Sequence, residues 1–145
     1  MLNSADSLLY IAIAALLGAA IGAEREWRRH PGGLRSCALV CAAASLFTRL
    51  AVLHADGSVG APLGAIATGV GFLGAGVIMH NGDHVRGLAT AATFWAVAAI
   101  GAACGLGEAG SAIGLMLVVF FAHVVLRPLS AWIGRVAPPE DGGPQ

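Results

Sequence analysis

The sequence predicts an all-α fold: a polytopic membrane bundle of five transmembrane helices, N-terminus outside and C-terminus inside. Three observations carry this. Apolar stretches of helical length recur five times between Ser7 and Arg127. Charged residues make up only 11% of the 145, against about 25% in soluble domains, too few to cover the surface of a soluble globule. With the N-terminus outside, Arg25, Arg28, Arg29, Arg35, Arg86, Arg127 and Arg135 all fall inside, and only Arg49 lies towards the outside. Such an asymmetry is the expected mark of cytoplasmic loops.

The first span is Ser7 to Ala23. Its 17 residues cover most of a hydrocarbon core about 30 Å thick, at about 1.5 Å per residue. Ala14, Gly18 and Gly22 fall four apart, so one stripe of this helix is small and suited to close packing inside one protomer. No positive residue precedes the apolar run, the reverse of a signal peptide, so this helix is expected to stay. Glu24 to Arg35 is the most charged segment, and Pro31-Gly32-Gly33 breaks the helix. Ser36 to Leu53 is the second span. Arg49 lies about 6 Å from its end, within snorkelling reach, and reads as an interfacial anchor.

Ala61 to Met79 is the third span, with Pro62 in its first turn. Its second half carries Gly71, Gly74 and Gly76. Glycine costs a helix about 1 kcal/mol relative to alanine in water, whereas in a membrane small residues let helices approach closely. These three glycines are therefore expected to be packing contacts, and the third span to be the core helix. His80 to Gly87 reads as a polar loop, and Leu88 to Leu106 as the fourth span. Ser111 to Arg127 is the fifth, closed by Pro128. Leu129 to Val136 looks amphipathic, with Trp132 suited to the interface. Residues 1–136 thus read as one transmembrane domain, and residues 137–145, APPEDGGPQ, as a disordered cytoplasmic tail.

Several function classes find no support. Eight arginines balance eight acidic residues, lysine is absent, and no basic stripe suggests nucleic acid. Cys37, Cys41 and Cys104 are odd in number and lie in apolar segments, unlike a secreted disulfide framework. The GFLGAG run lacks the βαβ setting of a dinucleotide fingerprint. No nucleophile–base set or Walker loop stands out, so no enzyme activity and no cofactor is expected. His80, His84 and Asp83 lack a third fixed ligand for zinc, so no metal is assigned.

The polar residues that remain form one candidate cluster: Glu24, Arg25, Arg35, Asp83 and Arg86. By the topology above they share the cytoplasmic face. Glu24 and Arg28, four apart, can pair along a helix. Charges at membrane depth are costly unless paired, so an inward cluster needs mutual neutralisation. Asp83 and Arg86 are placed to cap the fourth helix and bond facing carbonyls. His123 reads as interfacial.

The stretches IGAEREWRRHPGGLRSCALV, GVGFLGAGVIMHNGDHVRGLATAATFWAVAAIGAACGLG and VVLR together resemble the MgtC/SapB family of bacterial inner-membrane proteins. IGxERE, GLR, GFLGAGVI and VRGLxTAA, in this order and spacing, are specific in combination. The resemblance implies a multi-pass protein of the bacterial inner membrane. It further implies adaptation to low magnesium, survival in host macrophages as a virulence trait, and restraint of the F-type ATP synthase. The chain departs from the pattern in four places. A short tail stands where many members carry an ACT-like domain. Ala61 and Ala65 replace an Arg and a Gln, His84 stands for Asn, and Ala96 for Cys.

The expected function is accordingly regulatory and non-enzymatic, through helix contacts with another integral membrane protein amid membrane lipids, with a homodimer as a further candidate partnership. The alternative is a transporter or channel for Mg²⁺ or another small solute. A pore needs polar residues at several mid-membrane levels, and here they are few: Ser45, Thr48, Thr68 and Thr93.

Overall fold

The computed structural model describes residues 4–54, 58–81 and 84–136. Helices α1 (Ser4–Trp27), α2 (Leu34–His54), α3 (Gly60–Val77), α4 (Leu88–Leu106) and α5 (Ala109–Phe121) alternate in direction. A π-helical turn, Ala122–Leu126, joins α5 to α6 (Arg127–Val136). Five of the resulting rods are long and apolar enough to cross a membrane, the last running over Ala109–Val136. The tail 137–145 and Asp83 lie outside the described residues.

Small residues decide which helices touch. The α1 stripe packs on α2 within the chain. A Cβ at Gly18 would lie 2.7 Å from Cys41 Cβ, and one at Gly22 would lie 2.7 Å from Leu34 Cα. α2 then packs on α4 through Gly101 and Gly105. A Cβ at Gly101 would run into the Cys41 carbonyl oxygen, and one at Gly105 would lie 2.8 Å from Thr48 Cβ. Ala14, Ile21, Cys37, Cys41, Val97 and Ile100 are buried between these three helices.

The core helix is therefore α4, with ten buried residues, rather than the third span. α3 buries only Val70 and Gly74. Gly74 lies against Ala91, but a Cβ at Gly71 or Gly76 would meet nothing within 4 Å. Gly71 and Gly76 are thus not packing contacts among the described residues. Glycine density marks a helix able to approach another closely; it does not say which one.

Three further differences have local causes. α3 stops at Val77, and Met79–Asn81 (β1) pairs antiparallel with His84–Arg86 (β2) where a plain loop was expected. Gly87, at φ 96°, then turns the chain into α4, a left-handed conformation that favours glycine. The fifth rod does not stop at Pro128. Proline brings no N–H and crowds the carbonyl four residues back, here Val124. The π turn spanning Val124 takes up that mismatch and lets the helix continue. Finally, Arg49 does not snorkel. It is 3% exposed, 3.3 Å from Ser7 Oγ through Nε, with its guanidinium carbon 4.7 Å from the Tyr10 ring centroid.

Candidate functional site

The end of the bundle opposite Arg49 is built around Arg25. Ile21 and Gly22 precede it by four and three residues, so the face that packs α1 on α2 delivers Arg25 inward. Arg25 is 2% exposed. Its Nε donates to Gly32 O at 3.0 Å and its Nη2 to Pro31 O at 2.6 Å. Nη2 also donates to Thr90 Oγ1 at 2.8 Å, and Nη1 to Thr93 Oγ1 at 3.0 Å. Four charge-assisted bonds to neutral oxygens thus hold a guanidinium that offers five N–H donors.

The same bonds explain the Pro31-Gly32-Gly33 turn. It folds back over the first turns of α4, and a Cβ at Gly32 (φ 72°) would lie 2.6 Å from the Phe94 ring. Glu26 Oε2 accepts from Leu34 N–H at 2.8 Å, capping the start of α2, where the helix dipole favours a carboxylate. One arginine and one glutamate from α1 therefore fix the α1–α2 loop against α4.

Glu24 and His123 extend the network. Glu24 Oε1 pairs with Arg28 Nε at 2.5 Å, and Glu24 Oε2 lies 3.3 Å from His123 Nδ1. His123 sits in the π turn, which rotates it towards α1 and α4. Its Nε2 is 3.0 Å from Thr93 Oγ1. Thr93 Oγ1 also lies 2.7 Å from Ala89 O. The hydroxyl has one proton, which the carbonyl can only accept, while Arg25 can only donate. With all three contacts made, Thr93 accepts from His123, so Nε2 carries a proton. The network sets a threonine hydroxyl, an imidazole and a carboxylate in line, with the hydroxyl proton committed to the Ala89 carbonyl.

This polar cluster forms one end of a groove of about 770 Å³ between α1, α4 and α5–α6. Arg28, His30 and Arg127 line the same end, while Ala96, Leu115 and Val118 line the other.

The chain's residues 11–132 match the model of the MgtC family. The chain belongs to the MgtC family. It is 42% identical over 135 residues to "Protein MgtC" of Salmonella choleraesuis, covering 93% of this chain and 58% of that protein. It is 43% identical over 131 residues to a Synechocystis protein described as uncharacterized, covering 90% of this chain and 56% of the other. It is 42% identical over 120 residues to "Protein MgtC" of Brucella abortus, covering 82% and 50%. The chain thus spans about half the length of these curated relatives. No solved structure matches it.

Within this MgtC-family chain, two of the five expected cluster residues come together, Glu24 and Arg25. Arg35 and Arg86 are exposed and take no part in the network. The groups that accept hydrogen bonds from Arg25 are carbonyls and threonine hydroxyls rather than the expected carboxylate. Thr90, Thr93 and His123 were not assigned to the site. The signal for the threonines was their spacing of three, near the start of the fourth span and level with Arg25. For His123 it was a histidine one turn inside Arg127.

Proposed function

We propose that this membrane protein is a non-enzymatic regulator of the bacterial inner membrane, N-terminus outside and C-terminus inside. It acts by helix contacts on another integral membrane protein, with the F-type ATP synthase the first candidate and low magnesium or similar stress the setting. One observation carries the reading. Along α3, Gly60, Gly64 and Gly71 fall within about 40° of one another around the helix, a Cβ on any of them would meet nothing among the described residues, and Phe72 next to Gly71 is 82% exposed. A helix rich in small residues gains dispersion contact when another backbone approaches, and here the Gly60–Gly64–Gly71 face has no neighbour among the described residues. The rival reading, a Mg²⁺ or small-solute transporter, needs a polar path. The buried polar side chains among the described residues are Arg25, Thr90 and Thr93 at one end and Ser45, Thr48 and Arg49 towards the other. Between them lie Ala14, Ile21, Cys41, Val97 and Ile100.

The test is photo-crosslinking from Phe72 in native membranes at low and normal magnesium, followed by identification of the captured protein. A defined integral membrane protein, captured more strongly at low magnesium, is expected. Empty crosslinks together with saturable Mg²⁺ uptake by liposomes holding the pure chain would replace the regulator with the transporter. For orientation, reporters fused after Arg135 and in the loop between α2 and α3 should read cytoplasmic and external respectively; the same side for both overturns the five-span topology.

A further inference from the structure

The groove beside Arg25 has a polarity that the contact model of α3 does not use. At one end stand Arg25, Arg28 and Arg127 against one carboxylate, Glu24. Glu24 is already bridged by Arg28 and His123, and Arg25 has spent four donors inside the fold. The side chains of Arg127 and Ser130 line the groove with no hydrogen bond or ion pair among the described residues. This end therefore offers cationic donors to an anion. The other end is apolar, with Ala92 and Ala96 on α4 facing Leu115 and Val118 on α5.

Length decides what kind of anion fits. The α5 side of the groove runs from Leu115 to Leu126, apolar but for His123, about 16 Å at about 1.5 Å per residue. One leaflet of a hydrocarbon core roughly 30 Å thick is about 15 Å deep. Val118 is 61% and Leu126 48% exposed, so the wall reaches the outer surface of the bundle, where lipid lies. A free anion would use the arginines and leave the apolar wall unoccupied.

We propose that this groove is a specific site for an anionic phospholipid. The headgroup phosphate sits at Arg127, Arg28 and His30, and one acyl chain lies along Ala92, Ala96, Leu115 and Val118. Arginine suits the headgroup because its planar fork can hold two phosphate oxygens at once. Basic pockets between helices near a membrane face are a recurring way to hold such headgroups.

The test uses the full chain purified in a neutral detergent. Native mass spectrometry reads retained lipid after addition of phosphatidylglycerol, phosphatidylcholine or inorganic phosphate. One phosphatidylglycerol per chain is expected, at least tenfold tighter than phosphatidylcholine and not displaced by phosphate. Arg127→Gln should weaken phosphatidylglycerol about tenfold, the scale of one lost charged hydrogen bond, and leave phosphatidylcholine unchanged. Ala92→Phe, which fills the apolar end, should weaken retention of both lipids. Val118→Trp does the same from the facing wall and replaces it if circular dichroism shows Ala92→Phe unfolded. Equal retention of the two lipids, displacement by phosphate, or indifference to both substitutions would each overturn the site.

Discussion

Arg25 and Arg49 are both buried in an apolar bundle, about 22 Å apart when measured along α2 from Leu34 to Arg49. Arg25 makes four hydrogen bonds to a loop and to α4. Arg49 makes one long bond to Ser7 and a ring contact with Tyr10. Its Nη2 has no hydrogen-bond partner among the described residues, and neither do Ser45 Oγ and Thr48 Oγ1 on the same helix. Burial alone therefore does not say what an arginine does. At one end the charge organises the backbone around it. At the other it is tolerated beside hydroxyls that are themselves unpaired. A buried polar group left unpaired costs about 1–3 kcal/mol, so the two ends should respond very unequally to losing their charge.

The sharpest test is Arg25→Met. It strands the Pro31 carbonyl and the Thr90 hydroxyl, leaves Gly32 O with only the weak Cys37 thiol donor, and takes one of three partners from Thr93. A loss of about 3 kcal/mol or more is expected from unfolding in detergent, since several buried partners are left unpaired. Arg25→Lys should recover less than half of it, because an ammonium is a point charge that cannot span the fork. Full recovery by lysine would reduce Arg25 to a charge and end its role as organiser of the loop.

Next in size is the seam that joins the two ends. A Cβ at Gly101 would strike the Cys41 carbonyl, which is backbone and cannot swing away. Gly101→Ala should lower stability by about 1–3 kcal/mol, the usual cost of overpacking. Unchanged melting would mean that α2 and α4 slide freely, and the ends would not be rigidly related.

Arg49→Met should do much less, within about 1 kcal/mol of the parent and of either sign. Replacing a poorly paired buried charge with an apolar side chain of similar volume is often neutral or stabilising. A loss as large as that of Arg25→Met, read in the same unfolding experiment, would show that the Tyr10 and Ser7 contacts hold that end together.

The sequence revealed much of one end and little of the other. The five spans follow from hydropathy, and Arg25 continues the Ala14–Gly18–Gly22 stripe by three residues, so its inward direction was written in the pattern. Glu24–Arg28 followed from helical spacing. Arg49 was misread because snorkelling distance counts residues to the helix end and ignores what α1 sets against it. His123 depends on a π turn, which shifts a side chain's direction without any hydrophobic period to announce it. Asp83 and Arg86 were grouped with Arg25 because they share a face of the membrane, but sharing a face is not contact: Arg86 is exposed.

The smallest expected effect is at Gly71, and it separates contacts inside the chain from contacts outside it. The glycines of α3 looked like the core of the bundle, yet a Cβ at Gly71 meets nothing, while one at Gly101 meets backbone. Gly71→Leu should leave the melting of the detergent-purified chain unchanged or slightly raised, because leucine is the better helix former by up to about 1 kcal/mol. In native membranes the same substitution should abolish the crosslinks formed from Phe72, because its bulk stands on the face a partner helix would approach. A stability loss like that of Gly101→Ala would bring the α3 glycines back inside the chain. Unchanged melting with unchanged crosslinks would move the partner surface off this face of α3.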